Sequence, residues 1–218
     1  MDKEQINQVL QALRRNNMNG VYLPDRAAVC NAVRNLLFDG CTISAGGSES
    51  VKESGVWEIL KDPRYNFLDR TRAGITPEER QEVFRQTVGC DFFFCSTNAL
   101  TVNGELVNVD GTSNRVNAIA FGPKKVIMVV GINKIVPDLK AAFLRVKTDA
   151  APKNTVRLNL DTPCHKLGHC IALEKSDDPA MTDGCQCPSR ICVNYMVTAR
   201  QREPDRITVL LCGEELGY

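Results

Sequence analysis

Asp91-Phe92-Phe93-Phe94-Cys95-Ser96 carries an unbroken apolar run with no polar face. A strand of that kind must be covered on both sides, which is the condition of an interior strand in a parallel sheet. Upstream, Thr76-Pro77-Glu78-Glu79 supplies a cap, a proline and early acids, so a helix should open there and end near Gly89. Cys41-Thr42-Ile43-Ser44 predicts a further strand, running into Ala45-Gly46-Gly47-Ser48 and a helical turn beginning near Ser48 or Ser50. Residues 3–15 and 26–38 repeat apolar positions at helical spacing, with a strand-like Val21-Tyr22-Leu23 between them and Asp25 as an N-cap. Downstream, Asn103-Gly104 between two alternating segments predicts a tight hairpin. Val126–Val130 then predicts a second apolar strand, Asp138–Val146 a helix and Ile207–Leu211 the last strand. The alternation predicts an α/β fold with a mostly parallel sheet flanked by helices, organised as one domain over residues 1–218.

A chain of 218 residues can bury a core without covalent or metal staples. With 27 basic and 26 acidic residues, it shows no charge excess that asks for nucleic acid or an anionic membrane. No N-terminal stretch reads as a signal peptide and the longest apolar runs are strand-length, so the expected location is the cytoplasm, with no membrane partner. Cytoplasmic thiols stay reduced, and ten cysteines then point to metal or redox chemistry more than to disulfides.

Five of those thiols fall in one polar, glycine- and proline-interrupted stretch within a subregion at 160–192: Cys164, Cys170, Cys185, Cys187 and Cys192. The gaps are wider than those of a zinc knuckle. They favour a [4Fe-4S] iron-sulfur cluster held by Cys164, Cys170, Cys187 and Cys192, with zinc as the alternative. Cys185 can take the place of Cys187, and His165 or His169 can join a mixed zinc site. Lys166 and Arg190 can offset thiolate charge or simply face solvent. The scattered Cys30, Cys41, Cys90, Cys95 and Cys212 sit in apolar elements and read as core.

Two loops can hold an anion. Gly46-Gly47-Ser48 offers closely approaching backbone N–H groups and a hydroxyl, although the same triplet also makes an ordinary turn. The run from Ser96 to Asn117 surrounds a strand pair with turns. In it, Arg115 can clamp a carboxylate or phosphate, and Asn98 and Asn114 can orient oxygens; alternatively Asp110 and Arg115 pair with each other and the asparagines cap turns. Glu49, Glu53, Asp110 and Glu214 are the candidate bases, and no spacing singles one out. Neither a dinucleotide fingerprint nor a phosphate-binding loop ending in Gly-Lys-Ser/Thr is present.

The block Ser96, Asn98-Ala99-Leu100-Thr101, Asn103 to Asn108, Asp110 to Val116 and Gly122 to Ile127 resembles the LUD domain, the LutC-related lactate-utilization family. Gly46-Gly47-Ser48, Asn133-Lys134-Ile135-Val136 and the closing Gly213 to Gly217 extend the match. The resemblance implies a fold similar to that of ribose-5-phosphate isomerase and the CoA transferases. It also implies a crevice between Gly46-Gly47-Ser48 and the Asn98–Arg115 region, without transmitting a reaction. Thr162-Pro163-Cys164, Gly168-His169-Cys170 and Cys187 to Cys192 resemble a cysteine-rich C-terminal branch of that family, departing from it in the long segment from Ile171 to Gln186.

The expectation is therefore a protein of lactate or other small 2-hydroxy acid utilization, its iron-sulfur cluster serving electron transfer or structure. It would work with a small anionic metabolite and with iron-sulfur or flavin oxidoreductase partner proteins. The alternatives are a small-molecule enzyme of isomerase, deaminase or transferase type, acting on a sugar-phosphate or CoA-like ligand and carrying a structural zinc, or a non-catalytic ligand-sensing subunit.

Overall fold

In the computed structural model, which describes residues 2–218, Asp2 and Gln5 close a capping box on helix α1 (Lys3–Arg15). Its Ile6, Val9 and Leu13 face inward. Strand β1 (Asn19–Leu23) follows, then α2 (Arg26–Leu36), capped by Asp25. Strand β2 (Thr42–Ala45) leads through the glycine loop into two short helices, α3 (Glu49–Glu53) and α4 (Val56–Leu60), and then into β3 (Asn66–Leu68). Helix α5 (Pro77–Thr87) has the Thr76 capping box and first-turn proline that its sequence announces. The apolar run becomes β4 (Phe92–Cys95), and β5 (Ala99–Thr101) and β6 (Leu106–Asp110) form the hairpin. Helix α6 (Asn114–Ala120) precedes β7 (Lys125–Gly131), and a 3-10 turn at Ile132–Lys134 joins that strand to the short β8 (Ile135–Val136). The C-terminal part holds α7 (Leu139–Arg145), α8 (Ala151–Arg157), α9 (Pro163–Leu167), β9 (Asn194–Thr198) and β10 (Ile207–Cys212).

Six strands pair in parallel in the order β1-β10-β7-β4-β2-β3, and a second sheet runs β8-β5-β6-β9 with antiparallel and parallel pairs. The architecture is thus a mixed parallel and antiparallel α/β fold with its sheets flanked by helices.

Side-chain alternation along the central strands divides the core. Phe93, Cys95, Val126, Met128, Ile207 and Val209 point toward α1, α6 and the inner face of the second sheet. Phe92, Phe94, Ile127, Val129 and Leu210 point toward α2, α3 and α4. Phe93 and Phe94, adjacent in sequence and both essentially inaccessible, thereby fill opposite faces, each contributing about 1.5–3 kcal/mol relative to exposure. A third cluster, with Ala99, Val107, Ala142, Val146 and Ala151, lies on the outer face of the second sheet.

Four elements differ from expectation. The predicted turns around Asn114 are the helix α6, entered through a left-handed Ser113. Strands β3 and β9 are edge strands too short or too exposed for a clear apolar period. The helix expected to end at Val146 continues through a π-helical turn, Val146–Ala150, into α8. Pro152 has no N–H for the preceding turn, and the Lys147 carbonyl instead accepts from the Cys170 amide at 2.8 Å. Among the described residues no helix is long and apolar enough to cross a membrane.

The hairpin loop has three residues, because Leu100 pairs with Leu106 and the Thr101 amide bonds to the Glu105 carbonyl. Gly104 closes it at φ +81° and lies against α1, where an added Cβ would come within 2.8 Å of backbone atoms of Ala12 and Leu13. Gly104→Ala therefore suffers both left-handed strain and a clash that no rotamer relieves. We expect it to lower the unfolding free energy by about 1–3 kcal/mol in urea denaturation, with an unchanged m-value.

Candidate functional site

Parallel strands end together, and in this fold their carboxyl ends deliver the loops that meet in one crevice. Strand β2 ends at Gly46-Gly47-Ser48, β3 at Asp69-Arg70, β4 at Ser96-Thr97-Asn98 and β7 at the turn carrying Lys134, while β10 runs on to Tyr218. The crevice has a main cavity of about 230 Å³, reached by Gly47, Arg70, Asn98, Asp110, Asn114, Arg115, Asn154 and Arg157. A recess of about 80 Å³ adjoins it through Gly47, Asn98, Arg115 and Asn154, and is lined further by Ser48, Glu49, Ser96, Thr97, Lys134 and Tyr218.

The structure places the sequence-named anion-loop residues around this crevice, with differing chemistry. Gly46 lies behind it, its amide bonded to the Phe94 carbonyl. The Ser48 hydroxyl caps α3 by accepting from Val51, and α3 spans only five residues, so no long-helix dipole is present there. Asn98 accepts from the Val109 amide at 2.8 Å and from Arg115 at 3.0 Å. Arg115 also donates to Asn108 Oδ1 at 2.5 Å, to the Ser96 carbonyl at 3.2 Å and to the Val109 carbonyl at 2.7 Å, with Asp110 Oδ2 at 3.5 Å. The Arg115 fork is thus spent on tying β4, β6 and α6 together. Asp110 accepts from the Thr112 and Ser113 amides and fixes the left-handed Ser113. Of the candidate bases, Glu214 pairs with Arg26 and Glu53 accepts from the Gly217 amide, whereas Glu49 and Asp110 line the crevice.

The strongest cationic feature lies in residues that sequence reading did not single out. Arg70 and Arg157 close over Gly47, where a Cβ would stand 2.6 Å from Arg70 Nη2 and 3.7 Å from Arg157 Nη2. Arg157 is positioned by Asn154, by the Tyr218 hydroxyl at 2.8 Å and by Glu49 at 3.4 Å. Arg70 donates to the Ala45 carbonyl at 3.3 Å and has no carboxylate partner among the described residues. Burial, then the neighbouring Arg157 and Arg80, push its pKa down. Lys134 is 3% exposed and donates to Ser96 Oγ at 3.2 Å and to the Thr97 carbonyl at 3.3 Å. Asp69-Arg70-Thr71-Arg72 reads as a solvated charge run, and Arg157 lies in a helix hidden behind Pro152. Only the Asn133-Lys134 segment carried a signal, through its family resemblance.

The cysteine-rich segment requires a correction. Cys164, Cys170, Cys185 and Cys192 line a small apolar cavity of about 30 Å³, while Cys187 lies outside that lining with its sulfur 3.4 Å from that of Cys185. Among the described residues, no group of three or more His, Cys, Asp or Glu is arranged to hold a metal ion. The assignment of Cys164, Cys170, Cys187 and Cys192 to a [4Fe-4S] cluster is withdrawn, and so is the zinc alternative. Electron transfer in lactate or 2-hydroxy acid utilization, and an enzyme with a structural zinc, fall with the metal.

The physical reason lies in the surroundings of the thiols. No common focus forms, because Cys187 stands outside the apolar cavity that Cys164, Cys170 and Cys192 line; burial, then Cys170 and Cys164, push the Cys192 thiol up to about 12. Burial, then Cys185, also raises Cys187. Arg190 donates to the carbonyls of Thr182, Cys185 and Cys192, so it holds the loop's backbone. His165 bonds the Leu160 carbonyl and His169 pairs with Glu174. Cys41, Cys90, Cys95 and Cys212 are buried, and Cys30 is half-buried against the Ser54 carbonyl at 3.0 Å.

Comparison with known proteins adds a family match. The sequence model described as the LUD domain matches residues 6–212. No curated protein matches the chain. Among solved structures, it is similar to a DUF162 family protein from Deinococcus radiodurans, at TM-score 0.51 and 12% identity, over 96% of this chain and 97% of that one. It is also similar, at TM-score 0.36 and 14% identity, to eIF2B beta from Chaetomium thermophilum, over 52% of this chain and 43% of that one.

Removal of the Arg115 hub leaves several buried acceptors and Asp110 without their partner. Arg115→Ala is expected to cost about 3–5 kcal/mol of unfolding free energy in urea denaturation. A loss below about 1 kcal/mol would show that the fork is not structural.

Proposed function

From the premise that this chain belongs to the LUD domain family, we propose that its carboxyl-edge crevice binds a small anionic metabolite, with Arg70 and Arg157 taking a phosphate or carboxylate over Gly47. The observation that carries this reading is Arg70, a half-buried guanidinium with no carboxylate partner among the described residues, facing a second guanidinium. Two like charges held together in a partly desolvated site repel, and an anion between them converts that repulsion into charge-assisted hydrogen bonds. Gly47 supports this by leaving open the volume into which both forks reach. The Ser48 hydroxyl hydrogen and the Asn98 amide nitrogen have no acceptor among the described residues, and both stand at the recess to meet the remainder of a polar ligand.

A likeness to the ribose-5-phosphate isomerase and CoA transferase folds belongs to the same proposal. Its support is a doubly covered parallel sheet whose crevice lies at the carboxyl ends of the strands. Membership of a cysteine-rich branch rests on the residues from Thr162 to Cys192 alone.

Calorimetry with inorganic phosphate tests the reading, followed by thermal unfolding at saturating phosphate. Phosphate at about a hundred times its Kd should stabilise the fold by about 2.7 kcal/mol. Arg70→Ala should weaken phosphate binding by about 1.5–3 kcal/mol, roughly 10-fold to 150-fold. Gly47→Ala should weaken it by displacing the Arg70 fork. Equal affinity in the wild type and in Arg70→Ala would dismiss the two-arginine site.

A further inference from the structure

We infer that Lys134 is a nucleophilic amine which forms an imine with a carbonyl group of the anionic ligand, making the recess a carbonyl-binding site next to the two-arginine anion site. This rests on the proposed anion site and deepens it, naming the ligand class as a small phosphorylated or carboxylated aldehyde or ketone.

Geometry leads the argument. Lys134 sits at the carboxyl end of the central strand β7 and lines the recess, which is continuous with the main cavity at Gly47 and Asn98. Its side chain is buried, yet no carboxylate lies within ion-pair distance among the described residues, and its two acceptors are a hydroxyl and a carbonyl. An ammonium has three N–H bonds to place, whereas a neutral amine has two and a lone pair. Ser96 Oγ and the Thr97 carbonyl match the two of the neutral form, and the Ser96 hydroxyl can accept from Lys134 because its own hydrogen is directed to the Thr97 carbonyl at 3.4 Å.

The charged groups around Lys134 favour the same form. Arg145 of α7 and Arg115 of α6 repel a charge there, and Glu53 of α3 and Asp149 of the π turn act oppositely and more weakly. Burial followed by the two arginines brings the Lys134 pKa down to about 7. Asp149 is bound to Arg145 and Lys153, and Glu53 to the Gly217 amide, so neither is free to form an ion pair with the amine.

The step balances without an oxidant or reductant. The Nζ lone pair attacks the carbonyl carbon, and the two protons that the nitrogen gives up pass to the carbonyl oxygen, the first of them giving a carbinolamine. Loss of that oxygen as water then leaves the C=N bond. The carboxylate lining the recess is Glu49, which pairs with Lys52 at 3.0 Å and Arg157 at 3.4 Å and so stands at the junction of the anion site and the amine.

The test uses the full chain with dihydroxyacetone phosphate and sodium cyanoborohydride, which delivers hydride to an imine and fixes it. Peptide mapping by mass spectrometry should find one stoichiometric adduct, on Lys134, suppressed by excess inorganic phosphate. The trapping rate should climb as pH is raised through about 7, as expected for an amine of that pKa. Lys134→Gln, which keeps N–H donors but has neither a nucleophilic amine nor a charge, should form no adduct. Arg70→Ala should label at least tenfold more slowly at low ligand concentration. If calorimetry shows dihydroxyacetone phosphate binding while Lys134 stays unlabelled, or if labelling is spread over exposed lysines, the imine inference is overturned and the anion site stands. If neither phosphate nor dihydroxyacetone phosphate binds, both readings fall.

Discussion

A parallel sheet buried on both faces can offer chemistry only at its ends, and that constraint organises the whole molecule. Phe92 to Cys95, Val126 to Val130 and Ile207 to Cys212 give both surfaces of the central strands to packing. Polar residues are therefore displaced to the loops, and the parallel direction gathers five of those loop ends on one edge. The crevice follows from the same apolar runs that make the core.

Within the crevice, two kinds of cation carry different loads. Arg115 is saturated by Ser96, Asn98, Asn108, Val109 and Asp110, so it behaves as a rivet between β4, β6 and α6. Arg70 and Lys134 lack carboxylate partners and keep capacity for an incoming group. Saturation by the protein separates scaffold from site here more sharply than charge or position does. Of the two readings that the sequence left open for Arg115, the structure shows the pairing with Asp110, whereas Arg70 stood in an unremarkable run of charges.

The apolar runs and the caps were legible because their signals are local. Phe92-Phe93-Phe94 can satisfy its burial only inside a sheet, and Thr76-Pro77-Glu78-Glu79 can open little but a helix. The second sheet was only half visible. Its hairpin has a turn signature, but β8 and β9 are held by pairing with β5 and β6 rather than by a pattern of their own. Cys164 to Cys192 misled for a related reason. Spacing reports how far thiols stand apart along the chain, whereas ligation depends on a shared focus, and here Cys164, Cys170, Cys185 and Cys192 line an apolar cavity together with Ile171, Ile191 and Tyr195 while Cys187 lies outside it.

The π turn between α7 and α8 holds one residue more than an α-helical turn would use, and each helical residue advances the direction of a side chain by about 100°. That surplus residue sets the azimuth of everything after it, so the angle at which Arg157 and Asn154 enter the crevice is decided at Val146–Ala150, a turn or more upstream. Removing a single residue there would turn the polar face of α8 elsewhere. The shape of the crevice wall is thus written partly in the length of a helix, and a change of one residue at Val146–Ala150 would re-aim Asn154 and Arg157 while leaving both side chains as they are.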